Sequence, residues 1–351
     1  MKTLENEHRD SFSASPLFEQ SKALKLAVIP SLSRGVRGFK KSVDFIGSPA
    51  AANHHDDDHL SSASSVGEAL RWGMTTLRSS SSSPRADANR LLEHVLGRTS
   101  AWLVAHDTEG LDPVERHGFV RVVKERARGV PVAYVLGRWG FFGSEYTVNA
   151  DVLVPRPETE LLVERALQFL MRRAGRLQVL DVGTGSGAIA CAIAQALPNA
   201  IVHATDNNAA AIRLAQQNAA RLGVQDRCTF FVGDLAAPVR GERYACVLAN
   251  LPYIPTAELP RRPDPASYEP RGALDGGPDG LALYRRLLSE LPSLLEDDAL
   301  AVLEAAAPTI AALVDVARRY VVRADVDVAR DYAGQERFVV VATGSSARSA
   351  E

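Results

Sequence analysis

Apolar positions recur at helical spacing from Val66 onward. Val66, Ala69, Leu70, Gly73 and Leu77 mark one face of a first helix, which the Ser79–Ser83 run and Pro84 break. Ala88, Leu91, Leu92, Val95 and Leu96 mark a second over 86–96, with Gly97 as its stop. A short third helix spans 101–105. A fourth, over 113–128, carries Phe119, Val122 and Val123 and ends at Gly129. These predict a small helical bundle over residues 66–133, in which nothing is catalytic in type.

The pattern then changes. Tyr134–Gly137 and Tyr146–Val148, around a turn at Gly140–Gly143, predict a β-hairpin linker over 134–154. From 155 to 344, short apolar runs alternate with helical stretches. The predicted strands are Gln178–Val182, Ile201–Asp206, Cys228–Val232, Tyr244–Ala249 and Ala299–Glu304. Val321–Val328 and Phe338–Ala342 follow as an antiparallel pair. Helices are expected at 188–196, at 281–295 with an interruption near Pro292, and from Pro308. Strand and helix in alternation mean α/β, a mostly parallel sheet with helices on its faces.

Composition adds limits. The chain has 351 residues, long enough for two domains, with 46% hydrophobic and 23% charged residues. A formal net charge of −2 leaves no global basic footprint, so stable nucleic-acid binding is not expected. The three cysteines, Cys191, Cys228 and Cys246, lie in apolar runs without metal-type spacing, which points to structural thiols in a reducing compartment. No run of about 18 apolar residues exists, so no transmembrane helix is expected. Residues 1–65 have scattered apolar content and predict disordered chain, apart from a short apolar run at Ala23–Ile29. The acids Glu5, Glu7, Asp10 and Glu19 argue against an organelle-targeting peptide and for a cytoplasmic location, although the basic stretch from Lys22 to Lys41 has the opposite character. The tract His54–His59 is expected to be a solvated linker rather than a metal site, and 345–351 a frayed tail.

The candidate chemistry gathers at the carboxyl ends of the strands, where ligands bind in open α/β sheets. Gly183-Thr184-Gly185-Ser186-Gly187 is a glycine-rich turn between strand and helix. It is neither the dinucleotide fingerprint nor a phosphate loop, and no lysine follows it. Asp206 ends the next strand 23 residues after Gly183, where an acid accepts from ribose hydroxyls. The third strand ends in Gly233-Asp234-Leu235, placed to meet an adenine edge and pack on the ring. The fourth ends in Asn250-Leu251-Pro252-Tyr253, a stiff polar ledge suited to a planar –NH2 group. A nucleoside without a phosphate chain suggests S-adenosylmethionine. Two further features are an arginine between prolines, in Pro155-Arg156-Pro157-Glu158-Thr159-Glu160, and the long loop Ile254–Asp279, a length usually tied to function.

Together, Pro131–Gly137, Val154–Leu162, Val179–Gly187, Asn250–Tyr253 and Tyr268–Gly277 carry a resemblance. From Val66 to Thr343 the chain resembles the PrmC/HemK family, peptide chain release factor N5-glutamine methyltransferases. The resemblance implies a class I S-adenosyl-L-methionine-dependent methyltransferase fold, Rossmann-like, with a seven-stranded sheet and an antiparallel last strand. It also implies that the preceding helical bundle binds the release factor. The implied reaction moves a methyl group to the side-chain amide nitrogen of the glutamine in the Gly-Gly-Gln motif of release factors. By position, Gly183 to Gly187, Asp206, Leu235 and Asn250 would line the cofactor site, and Asn250 to Tyr253 would hold the glutamine and carry catalysis. No metal is implied, and the chain is expected to act as a monomer. The family's usual ledge is Asn-Pro-Pro-Tyr. Leu251 departs from it, but the expected contact there is a backbone carbonyl, which leucine also supplies.

Two other readings share these residues. An N6-adenine methyltransferase acting on DNA or RNA also needs a grip for a planar –NH2, and Asn-Leu-Pro-Tyr is similar to the ledge of rRNA adenine dimethyltransferases. The other reading is a non-catalytic module that binds S-adenosylmethionine without turnover.

Overall fold

Strand β3 (Leu177–Val182) is buried along nearly its whole length and is an interior strand of a seven-stranded sheet. The computed structural model describes residues 65–262 and 264–344. The expectations for residues 1–64, for the His54–His59 tract and for the tail from 345 lie outside the described residues.

Two compact units are present, dividing at Arg138/Trp139. The helical one contains α1 (Val66–Leu77), α2 (Pro84–Leu96), α3 (Ser100–Ala105), α4 (Pro113–Ala127) and α5 (Val132–Leu136). Capping boxes start two of them: Ser65 with Glu68 at α1, and Asp112 with Glu115 at α4. Phe119, Leu91, Leu92 and Leu77 fill its core. Gly73 is required there, since a Cβ on it would lie 2.9 Å from Phe119. Arg126 of α4 and Asp87 of α2 form a buried ion pair at 2.8 Å. Residues 260–268 belong to this unit, through a Tyr268 hydroxyl bond to the Arg128 carbonyl.

One expected strand is a helix. Tyr134–Gly137 falls in α5, a single turn that starts after Pro131 and ends at Gly137 with φ 68°. Proline before the turn and a left-handed glycine after it close a helix more readily than they extend a strand. The hairpin is accordingly shorter and later, β1 (Arg138–Phe141) with β2 (Ser144–Thr147).

The second unit holds α6 (Thr159–Leu170), β3, α7 (Ala188–Ala196), β4 (Ala200–Asp206), α8 (Ala209–Arg221), β5 (Cys228–Val232) and β6 (Tyr244–Ala249). It continues with α9 (Ala282–Leu294), β7 (Leu295–Glu304), α10 (Ala307–Tyr320), β8 (Asp325–Arg330) and β9 (Glu336–Ala342). Sheet order is β5-β4-β3-β6-β7-β9-β8. The pairs from β5 to β7 are parallel, and β9 is antiparallel to both neighbours. This is the expected class I methyltransferase fold. Alternate residues feed two cores. Val179, Cys246 and Val302 pack with α6 and α7, while Leu180, Val247 and Leu303 pack with α9 and α10. Both faces are covered, so the strands are continuously apolar, as parallel strands are.

Two boundaries differ from expectation. Helix α9 runs on through Pro292, although the proline gives no N–H to the Leu288 carbonyl, and its buried face, with Leu287, Leu288, Leu291 and Leu294, stays packed in the core to the end. The run Val321–Val328 is divided. Val321 caps α10 by donating its N–H to Ala317, and β8 begins only at Asp325.

Candidate active site

Strand order reverses direction around β3: the chain goes first to β4 and β5, then returns to β6 on the other side. That opens a crevice at the carboxyl ends of β3 and β6. The glycine turn fills its floor. Gly183, Gly185 and Gly187 all have positive φ (77°, 53° and 78°), which other residues adopt at a cost. The Gly183 and Thr184 amides both donate to the Thr205 carbonyl at 2.9 Å. Asp206 accepts from the Gly185 amide through Oδ2 (2.9 Å) and from the Asn208 amide through Oδ1 (2.8 Å). Burial nonetheless raises its carboxyl above the ordinary range.

A second acid lies beneath the turn. Asp181 is fully buried, and its Oδ2 accepts from the Thr184 hydroxyl (2.6 Å) and the Ala190 amide (3.2 Å). Its Oδ1 has no hydrogen-bond partner among the described residues. Burial outweighs the two bonds and pushes the group up to about 7.

The ledge follows β6. Asn250 donates from Nδ2 to Thr159 Oγ1 at 3.0 Å, so its Oδ1 points the other way as an acceptor. The Leu251 amide donates to the Tyr284 hydroxyl (3.1 Å), which itself donates to the Glu304 carbonyl. The Leu251 side chain is buried against the glycine turn: a Cβ on Gly183 would lie 2.9 Å from its Cδ2. Glu304, at the end of β7, is buried, and desolvation raises its carboxyl to about 7 against the pull of the Thr159 hydroxyl and of Arg337.

The two unexplained sequence features brace the ledge. Arg156, between its prolines, pairs with buried Glu269 at 2.7 Å. The loop Ile254–Asp279 folds back on the ledge through Ile254 N–H to Leu274 O (3.0 Å) and Gly276 N–H to Ile254 O (2.9 Å). Glycine is obligatory where it touches. A Cβ on Gly276 would lie 2.7 Å from the Pro252 carbonyl oxygen, and one on Gly280 2.3 Å from that of Tyr253.

A cavity of about 260 Å³ occupies the crevice. Of the residues singled out in the sequence, Gly183, Thr184, Gly185, Ser186, Asp206, Leu235, Asn250, Leu251 and Pro252 line it. Gly187 and Tyr253 do not. Gly187 opens α7 against Ala215, where a Cβ would lie 2.9 Å from that residue's Cβ. Tyr253 packs, half-buried, on the core beneath α9. Asp234 lines the cavity, but its carboxylate pairs with Arg286.

Residues 68–137 match the PrmC N-terminal domain, and residues 158–259 match the methyltransferase small domain. The release factor glutamine methyltransferase of Bordetella pertussis is 45% identical over 214 residues, 60% of this chain and 78% of that protein. That of Moorella thermoacetica is 41% identical over 254 residues, 72% and 89% respectively. The chain belongs to the release factor glutamine methyltransferase family. A release-factor-specific protein-(glutamine-N5) methyltransferase of Alicyclobacillus acidocaldarius has been solved. It is 28% identical, with a TM-score of 0.36, and the match covers 56% of this chain and 99% of that one.

In this family member, sequence reasoning missed Asp181, Thr159, Tyr284 and Glu304. Thr159 had a signal, since it lies inside the Pro-Arg-Pro-Glu-Thr-Glu stretch, but there it was indistinguishable from a helix-starting residue. Asp181, Tyr284 and Glu304 sit in apolar runs, where a single polar atom is visible only once its neighbours are known.

Proposed function

We propose that this methyltransferase transfers a methyl group from S-adenosylmethionine to the side-chain amide nitrogen of the glutamine in the Gly-Gly-Gln motif of a peptide chain release factor. The observation that carries the reading is the committed orientation of Asn250, whose Oδ1 is left as an acceptor in the same cavity as the glycine turn and Asp206.

The residues present suit the cofactor. A Cβ direction at Gly185 meets nothing within 4 Å, which leaves room against the turn. Asp206 offers acceptors for a ribose and Leu235 an apolar wall for the adenine. When bound, S-adenosylmethionine supplies an electrophilic methyl group.

The chain's own residues then solve a placement problem. An amide nitrogen is a poor nucleophile, because its lone pair is delocalised into the carbonyl. Asn250 Oδ1 and the Leu251 carbonyl accept its two hydrogens and aim the nitrogen, at a separation of about 3–3.5 Å from the reacting carbon, which contributes up to roughly 7–11 kcal/mol. The same two oxygens stabilise positive charge developing on nitrogen, the reverse of an oxyanion hole. No general base is assigned, and the proton leaves late to water.

Incubation with labelled S-adenosylmethionine and release factor tests this. Label is expected in a release factor with the intact motif and absent from one whose motif glutamine is substituted. Label in nucleic acid instead, or equal label in both proteins, overturns it.

A further inference from the structure

We infer that Thr159 and Tyr284 are positioning residues of the ledge: Thr159 sets which end of the Asn250 amide faces the acceptor, and Tyr284, tied to the Glu304 carbonyl, holds the Leu251 peptide. The inference rests on the acceptor reading above.

Asn250 poses a choice that shape cannot make. The two ends of a carboxamide are nearly the same size, yet only the oxygen can receive an N–H. The polarity has to come from outside. Asn250 Nδ2 lies 3.0 Å from Thr159 Oγ1, and a hydroxyl can accept or donate there. In the structure it accepts, with the NH2 end of Asn250 facing it. Thr159 therefore presents a lone pair to Asn250, which must offer its NH2 and turn Oδ1 towards the cavity.

Tyr284 repeats the logic on the backbone. Its hydroxyl hydrogen goes to the Glu304 carbonyl oxygen, so its oxygen accepts from the Leu251 N–H at 3.1 Å. Pro252 restrains the far side of Leu251. The Tyr284 bond restrains the near side, and a proline at 251 could not make it, having no N–H. Leucine here exchanges a rigid ring for a hydrogen bond plus a buried side chain on Gly183. Thr159 and Tyr284 thus each brace one acceptor of the ledge.

The test uses the full chain, with release factor as acceptor and four variants: Thr159→Val, Thr159→Ser, Tyr284→Phe, and Tyr284→Phe combined with Leu251→Pro, set beside Leu251→Pro alone. Thr159→Val keeps the shape and removes the hydroxyl. It is expected to lower kcat at least about tenfold while S-adenosylmethionine affinity by calorimetry stays within about threefold, and Thr159→Ser should recover most of kcat. Tyr284→Phe should lower kcat about fivefold or more in the natural chain, but less than about twofold on a Leu251→Pro background, where no N–H remains to hold. An undiminished kcat overturns the inference. So does a Thr159→Ser variant as poor as Thr159→Val, an equal loss of kcat and cofactor affinity, or an equal Tyr284→Phe effect on both backgrounds. Transfer by the wild type separates the two levels. If it methylates the glutamine and the variants are unaffected, the inference alone fails. If it does not, the acceptor reading fails and takes the inference with it.

Discussion

The glycine turn after β3 is held mostly from its own neighbourhood. Gly183 and Thr184 bond to Thr205, Gly185 to Asp206, and Asp181 bonds Thr184 and Ala190 a few residues on. The ledge after β6, the next strand in the sheet, is held from far along the chain. Thr159 lies 91 residues before Asn250, Tyr284 33 residues after Leu251, and the Arg156–Glu269 pair spans 113 residues. A nucleoside pocket can be built from local turns, because backbone amides and one acid suffice. Aiming a nitrogen needs acceptors fixed from several directions, and only distant elements arrive from those directions.

Four measurements break or sharpen that contrast, the largest effect first. Asn250→Ala removes an acceptor and its brace together. It should reduce kcat about 1000-fold or more, as removing an oxyanion-hole donor does at the severe end, while calorimetry still detects weakened cofactor binding. Near-normal turnover would remove the ledge from the chemistry.

Gly280→Ala tests the brace sterically. A Cβ 2.3 Å from the Tyr253 carbonyl oxygen, at φ 77°, should cost about 3 kcal/mol in chemical unfolding. Gly185→Ala also has positive φ but open space around it, and should cost only about 1–2 kcal/mol. Equal costs would mean the loop does not press on the ledge.

On the other side of the crevice, Asp206→Ala should weaken S-adenosylmethionine binding about 10- to 100-fold and leave kcat at saturation largely intact. An effect confined to kcat, with affinity unchanged, would argue against a ribose contact.

The smallest effect is on pH dependence, and each half supplies one group. Asp181 and Glu304 are both raised to about 7 by burial. Between the unfolded carboxyl value near about 4 and this raised value, the folded state keeps protons that the unfolded chain has lost. Stability therefore falls as pH rises through that window and levels above it. Asp181→Asn and Glu304→Gln should each flatten the fall, by at most about 1.4 kcal/mol per pH unit, in urea unfolding across the window. An unchanged slope would mean that the carboxyl is ionised in the folded state.

Much of the molecule was legible in the chain itself. The sheet was readable because parallel strands buried on both faces are near-continuously apolar, and Val179–Val182, Tyr244–Ala249 and Ala299–Glu304 are so apart from Asp181 and Glu304. Gly183 and Gly185 were readable because a tight turn at a strand end demands them, and Asp206 because an acid closes the following strand. Tyr134–Gly137 was misread because four apolar residues fit a strand or one helical turn equally well, and only the flanking Pro131 and Gly137 separate the two. Pro292 was misread because the packing of Leu288, Leu291 and Leu294 in the core holds the last turn of α9 despite the bond that the proline removes.

By itself, then, the sequence determined the α/β class, the strand ends that carry chemistry and the family, all of which depend on local pattern and on distinctive short motifs. The tertiary structure alone decided how Asn250 is oriented, why Arg156 sits between prolines, and why Gly276 and Gly280 have no side chains. Each of these depends on a partner remote along the chain, at a distance set by the sheet. Hydrogen-bond polarity and steric exclusion act over a few ångströms of space, and no spacing along the sequence encodes them.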